Sequence, residues 1–367
     1  MLFLLNLFLN ILLYNSFYFK SYKPIQKKLY EMNHHNWYVI GEKNEFFINK
    51  LYKKTIWNND YVIWKDKNDY YALDNHCSHR GASLSKGKLI NNNLLCPYHG
   101  YEFNNSGILI NVPGLNFTNT PCKNIKSYKI IEKNGFVYLN INSTVNSNIT
   151  IYEEPESINP NCTSIFFNLP IKNYARLLSE NSLDVMHIPY VHSFGNLEFP
   201  SPIKEIPPKI VNDYPNHYRT QYIYKASDNS MAKKIFNSDY LEVDNEFILP
   251  HTQIVRVKFG KYISTIITHV TPINITYSQF YMKTYRSYWY KSNPINIFEE
   301  LYNYLGNKIT LNMMIDTIKQ DKDIVENIKL EHIDGKYNMK YDKFQNLYRT
   351  LYKKKINNLF NIPNQCY

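Results

Sequence analysis

Between about residues 36 and 143, hydrophobic and polar positions alternate in short runs, which is the pattern of half-buried strands. The run YVIWKDKNDYYALDN predicts two strands joined at a Lys-Asn-Asp turn, and YEFNNSGILINV predicts another pair around residues 104–107. GFVYLNIN predicts a further strand, because aromatic and β-branched residues suit a sheet. Longer strand-like runs follow in HYRTQYIYKA, TQIVRVKFG, YISTIITHVTPI and YSQFYMKTYRSYWY. We therefore expect two β-rich parts, with residues 144–170 as a less regular connector.

A helical pattern replaces this alternation over residues 173–187 and again over residues 312–328. One apolar stripe runs along the second helix at i, i+4, i+11 and i+14, formed by Met314, Ile318, Val325 and Ile328. Asp321 lies inside this stripe at i+7, whereas three other acidic residues point away from it: Asp316, Asp323 and Glu326. A carboxylate aimed at a core is costly unless it is paired or metal-bound. Asp321 is therefore a candidate metal ligand, and the alternative is a frayed helix with Asp321 at its edge.

The first 28 residues form a separate segment, in which an apolar run of about eighteen residues is followed by several lysines. That run is at the short limit for a bilayer span, and the lysines would hold the rest of the chain on the cytoplasmic side. Three interpretations of this segment stay open: a membrane anchor, a targeting segment and a plain core helix.

The 367-residue chain carries a formal charge of +11, which suits either an acidic partner or simply a lysine-rich solvated surface. It has no long basic run, so we expect no nucleic-acid partner. The cysteines are odd in number and thinly spread, which excludes a disulfide scaffold and indicates a reducing compartment. Cys122, Cys162 and Cys366 are interpreted as ordinary thiols.

The other two cysteines belong to two short motifs whose residues are typical metal ligands, Cys77-x-His79 and Cys96-x-x-His99. Such a set can hold one Zn²⁺ or a [2Fe–2S] cluster with two Cys on one iron and two His on the other. A finger-type zinc site would place both His on one helix, but here each His shares a loop with a Cys. Glycines that follow each pair allow the backbone to turn tightly around the ligands. The local context therefore favours the cluster.

A second set of candidate ligands lies in ENSLDVMHIPYVHSFG. On a helix, Asn181, Asp184 and His187 would share one face through their i, i+3 spacing. Pro189 would end that helix, so that His192 folds back beside His187. Two His and one carboxylate form the facial triad of non-haem Fe(II) oxygenases, which leaves open positions for O₂ and substrate.

Together the two motifs resemble the catalytic (alpha) subunit of Rieske-type non-haem iron oxygenases, over about residues 37–328. Ala82 and Tyr98 stand where high-potential Rieske proteins carry an extra cysteine, so the resemblance is to the oxygenase type. NWYVIGE and ENSLDVMHIPYVH resemble the pheophorbide a oxygenase and chlorophyllide a oxygenase group. The resemblance implies an α+β chain: an all-β Rieske [2Fe–2S] domain at 36–143, the connector at 144–170, and a helix-grip catalytic domain at 171–367, an antiparallel sheet wrapped by helices.

The resemblance also implies cofactors and partners. Cys77, His79, Cys96 and His99 would hold the cluster. A mononuclear Fe(II) would be held by His187, His192 and Asp321. Asn181 and Asp184 are candidate catalytic residues, and Asp184 would bridge the two metals between neighbouring subunits of a homotrimer. NAD(P)H would supply electrons indirectly, through a reductase or ferredoxin.

The favoured substrate is a lipophilic ring compound of the pheophorbide or chlorophyllide kind. Sterol desaturation and aromatic demethylation are alternatives within the same family. A non-catalytic Rieske electron carrier or redox sensor and a zinc-binding interaction module are alternatives of other classes. The expected location is a reducing compartment, on the cytoplasmic side of a membrane or in a plastid.

Overall fold

The computed structural model describes residues 37–67, 69–114, 122–141, 151–193, 195–211, 216–228, 230–335 and 339–360. The apolar segment 1–28 and Cys366 lie outside these ranges. Within the described residues, no helix is both long enough and apolar enough to cross a bilayer.

The N-terminal part is built from short antiparallel strands in three small sheets. One sheet has the order β1-β11-β10, another β2-β3-β4-β9, and the third β5-β6-β7-β8. The strands are β1 Trp37–Glu42, β2 Tyr52–Ile56, β3 Asn59–Lys65, β4 Tyr70–Asp74, β5 Lys88–Ile90, β6 Asn93–Leu95, β7 Glu102–Phe103, β8 Leu109–Asn111, β9 Ser127–Tyr128, β10 Ile130–Lys133 and β11 Phe136–Asn140. The predicted hairpins form as expected, because their alternating side chains, such as Val62 and Leu73, are fully buried between the sheets.

The C-terminal part is a seven-stranded antiparallel sheet in the order β12-β18-β17-β16-β15-β14-β13. Its strands are β12 Thr163–Ile171, β13 Lys204–Ile210, β14 His217–Lys225, β15 Tyr240–Ile248, β16 Thr252–Phe259, β17 Tyr262–Asn274 and β18 Tyr277–Arg286. Side chains alternate across it, so Val243 and Val255 line a cavity on one face while Asp244 and Arg256 face a polar pocket on the other.

Helices cover the cavity face of this sheet. They are α1 Ala175–Leu183, α2 Ile188–Val191, α3 Met231–Lys234, α4 Ile297–Val325 and α5 Lys343–Phe360. Short 3-10 helices lie at Lys43–Glu45, Leu84–Lys86, Pro155–Ile158, Leu330–His332 and Lys340–Asp342. Leu178 from α1, Ile318 from α4 and Tyr348 from α5 share one core with Phe247 and Met282 of the sheet. An all-β part followed by a sheet with helices is the fold class that the sequence predicts.

The structure differs from the sequence prediction around the first helix, which ends at Leu183 and not at His187. Asp184 has extended backbone angles, and its side-chain oxygen accepts a hydrogen bond from the Met186 amide at 2.7 Å. This local bond competes with helix continuation. The prediction that Asn181, Asp184 and His187 share one helical face is therefore wrong. Pro189 lies in the first turn of α2 and does not end α1.

Other elements also differ from the prediction. α4 begins at Ile297, fifteen residues earlier than expected, because Asn296 caps it by accepting from two backbone amides. Part of the expected connector is strand β12, which pairs with β18 at the sheet edge. Its Pro170 is tolerated there, since an edge strand has no partner on one side. β15 was not predicted, because both of its faces are buried and one of them carries Asp244 and Glu246 instead of apolar residues.

Candidate metal centres

The two Cys-His loops lie side by side at one end of the N-terminal part, one between β4 and β5 and the other between β6 and β7. The imidazole rings of His79 and His99 approach to 4.6 Å between centroids. Gly81 and Gly100 have φ values of +70° and +68°, which favour glycine and let each loop reverse beside its ligands. The structure thus brings together the four residues that the spacing singles out.

The environment of these side chains fits a bound cationic group. The pKa of Cys77 is raised to about 11, mainly by burial; the His79 amide lowers it and the neighbouring Cys96 thiol raises it. A buried thiol pair of this kind ionises only with a compensating positive charge. Nδ1 of His79 is buried and has no hydrogen-bond partner among the described residues. Its ring stacks on Tyr101 at 4.6 Å, which fixes its orientation.

The spacing of the ligand atoms favours a cluster over a single zinc ion. Four ligands at tetrahedral zinc distances would lie within about 3.8 Å of one another. Here the side chains contact one another as two pairs, Cys77 with Cys96 and the ring of His79 with that of His99. Two separate pairs of ligands are what a two-iron cluster requires, with the thiolates on one iron and the imidazoles on the other.

A second group of ligand atoms converges between α2 and α4. Nε2 of His187 lies 3.1 Å from Nε2 of His192 and 3.4 Å from Oδ1 of Asp321. Nε2 of His192 lies 3.6 Å from the same carboxylate oxygen. Neighbouring ligands on one face of an octahedron, with bonds of about 2.1 Å, are about 3 Å apart. This triangle therefore has nearly the dimensions of a facial triad.

Asp321 reaches this triangle from the last turn of α4, with its side chain only 13% exposed. Met314, Ile318 and Val325 are buried as the apolar stripe predicts, while Asp316 and Asp323 are exposed. The alternative of a frayed helix is wrong. Oδ1 of Asp321 is buried and has no hydrogen-bond partner among the described residues. A buried carboxylate oxygen beside two imidazoles is suited to a divalent cation.

On each histidine the other ring nitrogen lies close to an oxygen acceptor. Nδ1 of His187 lies 3.6 Å from Oδ2 of Asp184. Nδ1 of His192 donates to the Gln320 amide oxygen at 3.2 Å, which fixes the orientation of the ring with Nε2 directed at the triangle. The sequence analysis missed Gln320; the available signal was a polar residue one position before the candidate carboxylate, in the same helical turn.

Two carboxylates control the charge around these histidines. Burial lowers the pKa of His187, but Asp184 and Asp321 outweigh burial and raise the pKa to about 9. Burial lowers the pKa of His192. The pKa of Asp184 falls below its usual range, since the His187 ring and two backbone amides outweigh the effect of burial. The site therefore attracts positive charge, which a proton supplies when no metal is bound.

A cavity of about 300 Å³ opens directly onto the triangle. His187, His192 and Asp321 line it, together with Asn181 and Asp184. The rest of the lining is mostly apolar and includes Phe199, Tyr224, Leu241, Val243, Val255, Val257, Ile266, Phe280 and Met282. Asn181 contributes its backbone oxygen to the turn, accepting from the Asp184 amide at 3.1 Å. The arrangement can hold a small apolar molecule beside a bound metal.

Comparison with known proteins identifies the N-terminal part. Residues 36–129 match the family model of the Rieske [2Fe-2S] domain. Over 160 residues the chain is 30% identical to the iron-sulfur subunit TsaM1 of the toluene-4-sulfonate monooxygenase system of Comamonas testosteroni, covering 42% of this chain and 45% of the relative. Over 137 residues it is 29% identical to chloroplastic chlorophyllide a oxygenase of Chlamydomonas reinhardtii, covering 36% of this chain and 20% of the relative.

The whole fold also has a counterpart among solved structures. The crystal structure of dicamba monooxygenase bound to dicamba matches with a TM-score of 0.72, covering 90% of this chain and 99% of that chain at 18% identity. The chain therefore carries a Rieske domain, has the fold of dicamba monooxygenase, and over part of its length is similar to proteins of oxygenase systems. The sequence alignments span less than half the length of the two curated relatives.

Proposed function

We propose that this protein is the catalytic component of a Rieske non-haem iron oxygenase, which uses O₂ and externally supplied electrons to oxidise an apolar ring compound. One observation carries the proposal: His187, His192 and Asp321 place three ligand atoms 3.1–3.6 Å apart in the lining of a mostly apolar cavity. The match to the Rieske domain supports an electron-transfer cluster in the same chain.

In this proposal Cys77, His79, Cys96 and His99 hold a [2Fe–2S] cluster, and the triangle holds a mononuclear Fe(II). The bound metals supply electron transfer and O₂ activation. The protein keeps each ligand in the correct orientation and protonation state. Gln320 orients His192, and Asp184 orients His187. Each acts on the ring nitrogen that faces away from the metal.

Asp184 has a second proposed role, in passing electrons between neighbouring copies. Its side chain is 32% exposed, so one edge of the carboxylate is free to meet another protein surface. His99, a proposed cluster ligand, is exposed at the tip of its loop. A hydrogen bond from His99 of one copy to Asp184 of the next would connect the two metal sites within a homotrimer. A ferredoxin or reductase, drawing on NAD(P)H, would reload the cluster.

The cavity narrows the proposed substrate class. Its volume of about 300 Å³ lies at the lower end of the usual range for small-molecule sites, and its wall is mainly apolar. These features favour a compound of few rings, such as a methoxy-aromatic substrate or a sterol of which one end enters the cavity. A chlorophyllide-like macrocycle is the second candidate, supported by the Chlamydomonas relative, and only part of it would enter the cavity. That relative's chloroplastic name also supports a plastid location.

The test is anaerobic reconstitution with Fe(II) and measurement of O₂ uptake against methoxy-aromatics, sterols and porphyrins. We expect uptake that depends on one of these classes and disappears in His187→Ala, with the visible spectrum of the cluster unchanged. Reduction and reoxidation of the cluster without any substrate-dependent uptake would instead support the electron carrier or redox sensor. A colourless protein with stoichiometric zinc would support the interaction module.

A further inference from the structure

The first half of α4 exposes an unusually apolar face. Ile297, Leu301, Leu305 and Ile309 recur every fourth residue along it and are 74%, 51%, 46% and 47% exposed. Phe298, Tyr302 and Tyr304 extend the same side of the helix, and Phe298 is 78% exposed. Scattered apolar residues are normal on a surface, but a contiguous patch of seven large exposed side chains marks an interaction site. We call these seven residues the α4 face.

The opposite side of this half-helix is held firmly by the protein. Gly306 packs so closely that an added Cβ would lie 2.4 Å from the Trp289 backbone oxygen. Thr310 and Met314 are buried one and two turns further along. The side chain of Arg286 bonds to the Trp289 backbone and to Asn307. The α4 face is therefore a preformed surface on a fixed helix, not the exposed side of a loose terminus.

The order of residues on this face is symmetric about position 303. Counting outward from there, Leu301 mirrors Leu305 and Ile297 mirrors Ile309. Tyr302 likewise mirrors Tyr304. An antiparallel contact between two identical helices brings residues that mirror one another together, as a twofold interface requires. Rows of residues spaced by four interdigitate in the commonest class of helix packing, so Leu301 and Leu305 would form the centre of the contact.

Aromatic side chains each bury roughly 150–250 Å² when fully covered, so Phe298, Tyr302 and Tyr304 alone can supply a large part of the roughly 800 Å² per partner that a stable interface buries. The four aliphatic residues of the α4 face add to that area.

We propose that the α4 face binds the α4 face of a second copy of this chain across a twofold axis. The inference rests on the surface alone and is independent of the proposed oxygenase activity. Leu305→Glu and Leu301→Glu place a carboxylate at the centre of the contact and prevent pairing. Leu330→Glu is the matched control, since Leu330 is also exposed but lies outside the face.

The experiment is light scattering coupled to size exclusion on the full-length protein with its cluster loaded. We expect the particle mass of Leu301→Glu and of Leu305→Glu to be half that of the wild type and of Leu330→Glu, whether the twofold contact joins two single copies or two of the proposed homotrimers. The folded state of each variant is checked from the cluster absorption. Equal masses for all four proteins would overturn the proposal, as would binding to lipid vesicles that depends on the face without any change in mass.

Disulfide trapping tests the antiparallel register. Leu301→Cys and Leu305→Cys proteins, mixed in equal amounts under mild oxidation, should form a 301–305 linked dimer. Each protein alone should form several-fold less dimer. Efficient 301–301 linkage in the first protein alone would show parallel pairing and contradict the proposed interface.

Discussion

Gln320 provides a quantitative test of the proposed iron site, because it touches no metal and acts only through His192. Its amide oxygen accepts from Nδ1 of His192 at 3.2 Å, and the histidine side chain is only 4% exposed. Gln320→Leu removes the acceptor and leaves the shape nearly unchanged. A buried donor that loses its acceptor costs about 1–3 kcal/mol, and loss of such an outer partner typically weakens metal binding about 10–100-fold. The two figures agree, because each tenfold change in metal affinity corresponds to about 1.4 kcal/mol of binding free energy.

The assay is an anaerobic competition titration of Co(II) against a coloured chelator, with the cobalt absorption bands reporting ligand geometry. We expect Gln320→Leu to weaken binding by about 10–100-fold. Gln320→Glu retains the acceptor and should bind at least as tightly as the wild type. Lys319→Leu, an exposed neighbour on α4, is the control. Wild-type affinity in Gln320→Leu, or equal weakening in Lys319→Leu, would refute the assignment of Gln320 as the residue that orients His192.

Three further predictions follow from other features of the molecule. Asp184→Asn should leave both metals bound but slow electron transfer to the mononuclear iron by more than tenfold in single-turnover experiments with a pre-reduced cluster; an unchanged rate would contradict the bridging role. Val243→Phe should fill the cavity wall and abolish substrate-dependent O₂ uptake while iron content stays constant, and retained uptake would place the substrate elsewhere. The pKa of buried His269 is lowered to about 3 by burial and by Lys283. Below about pH 6.5 the His269 imidazole therefore binds a proton in the unfolded chain but not in the folded protein. Because the unfolded chain binds the extra proton, the free energy of unfolding falls by up to about 1.4 kcal/mol for each pH unit from pH 6.5 towards pH 3. His269→Gln should flatten this slope in urea titrations, and an unchanged slope would show that other groups cause it.

The cluster loops and the position of Asp321 could be predicted because each depends on local sequence. Two Cys-His pairs followed by glycine define their own loop geometry. A single helical stripe is enough to show that Asp321 faces the core while Asp316 faces solvent. In both cases the determining residues lie within a few turns or one loop of the site.

The remaining features depend on contacts between distant residues, which periodicity does not reveal. β15 could not be recognised because buried Asp244 and Glu246 find their partners on other strands, in Arg219 and Arg256. The bond between His192 and Gln320 spans 128 positions along the chain. The substrate cavity is likewise formed by strands and helices that are far apart in sequence.

The end of α1 was mispredicted for a local reason. Asp184 was interpreted as a helical residue, but its side chain bonds to the Met186 amide and stops the helix. The same turn releases His187 from the helix, and this brings its ring to His192. The competition between side chain and backbone therefore creates the metal-binding geometry that the helical interpretation could not explain.

The most direct test of the proposed iron site is the iron content per chain of the reconstituted protein, compared with His187→Ala/His192→Ala. We expect about three iron atoms in the wild type, two in the cluster and one in the triad. We expect about two in the double variant, with the electron paramagnetic resonance signal of the reduced cluster unchanged. About two iron atoms in both proteins would contradict an iron site at His187, His192 and Asp321.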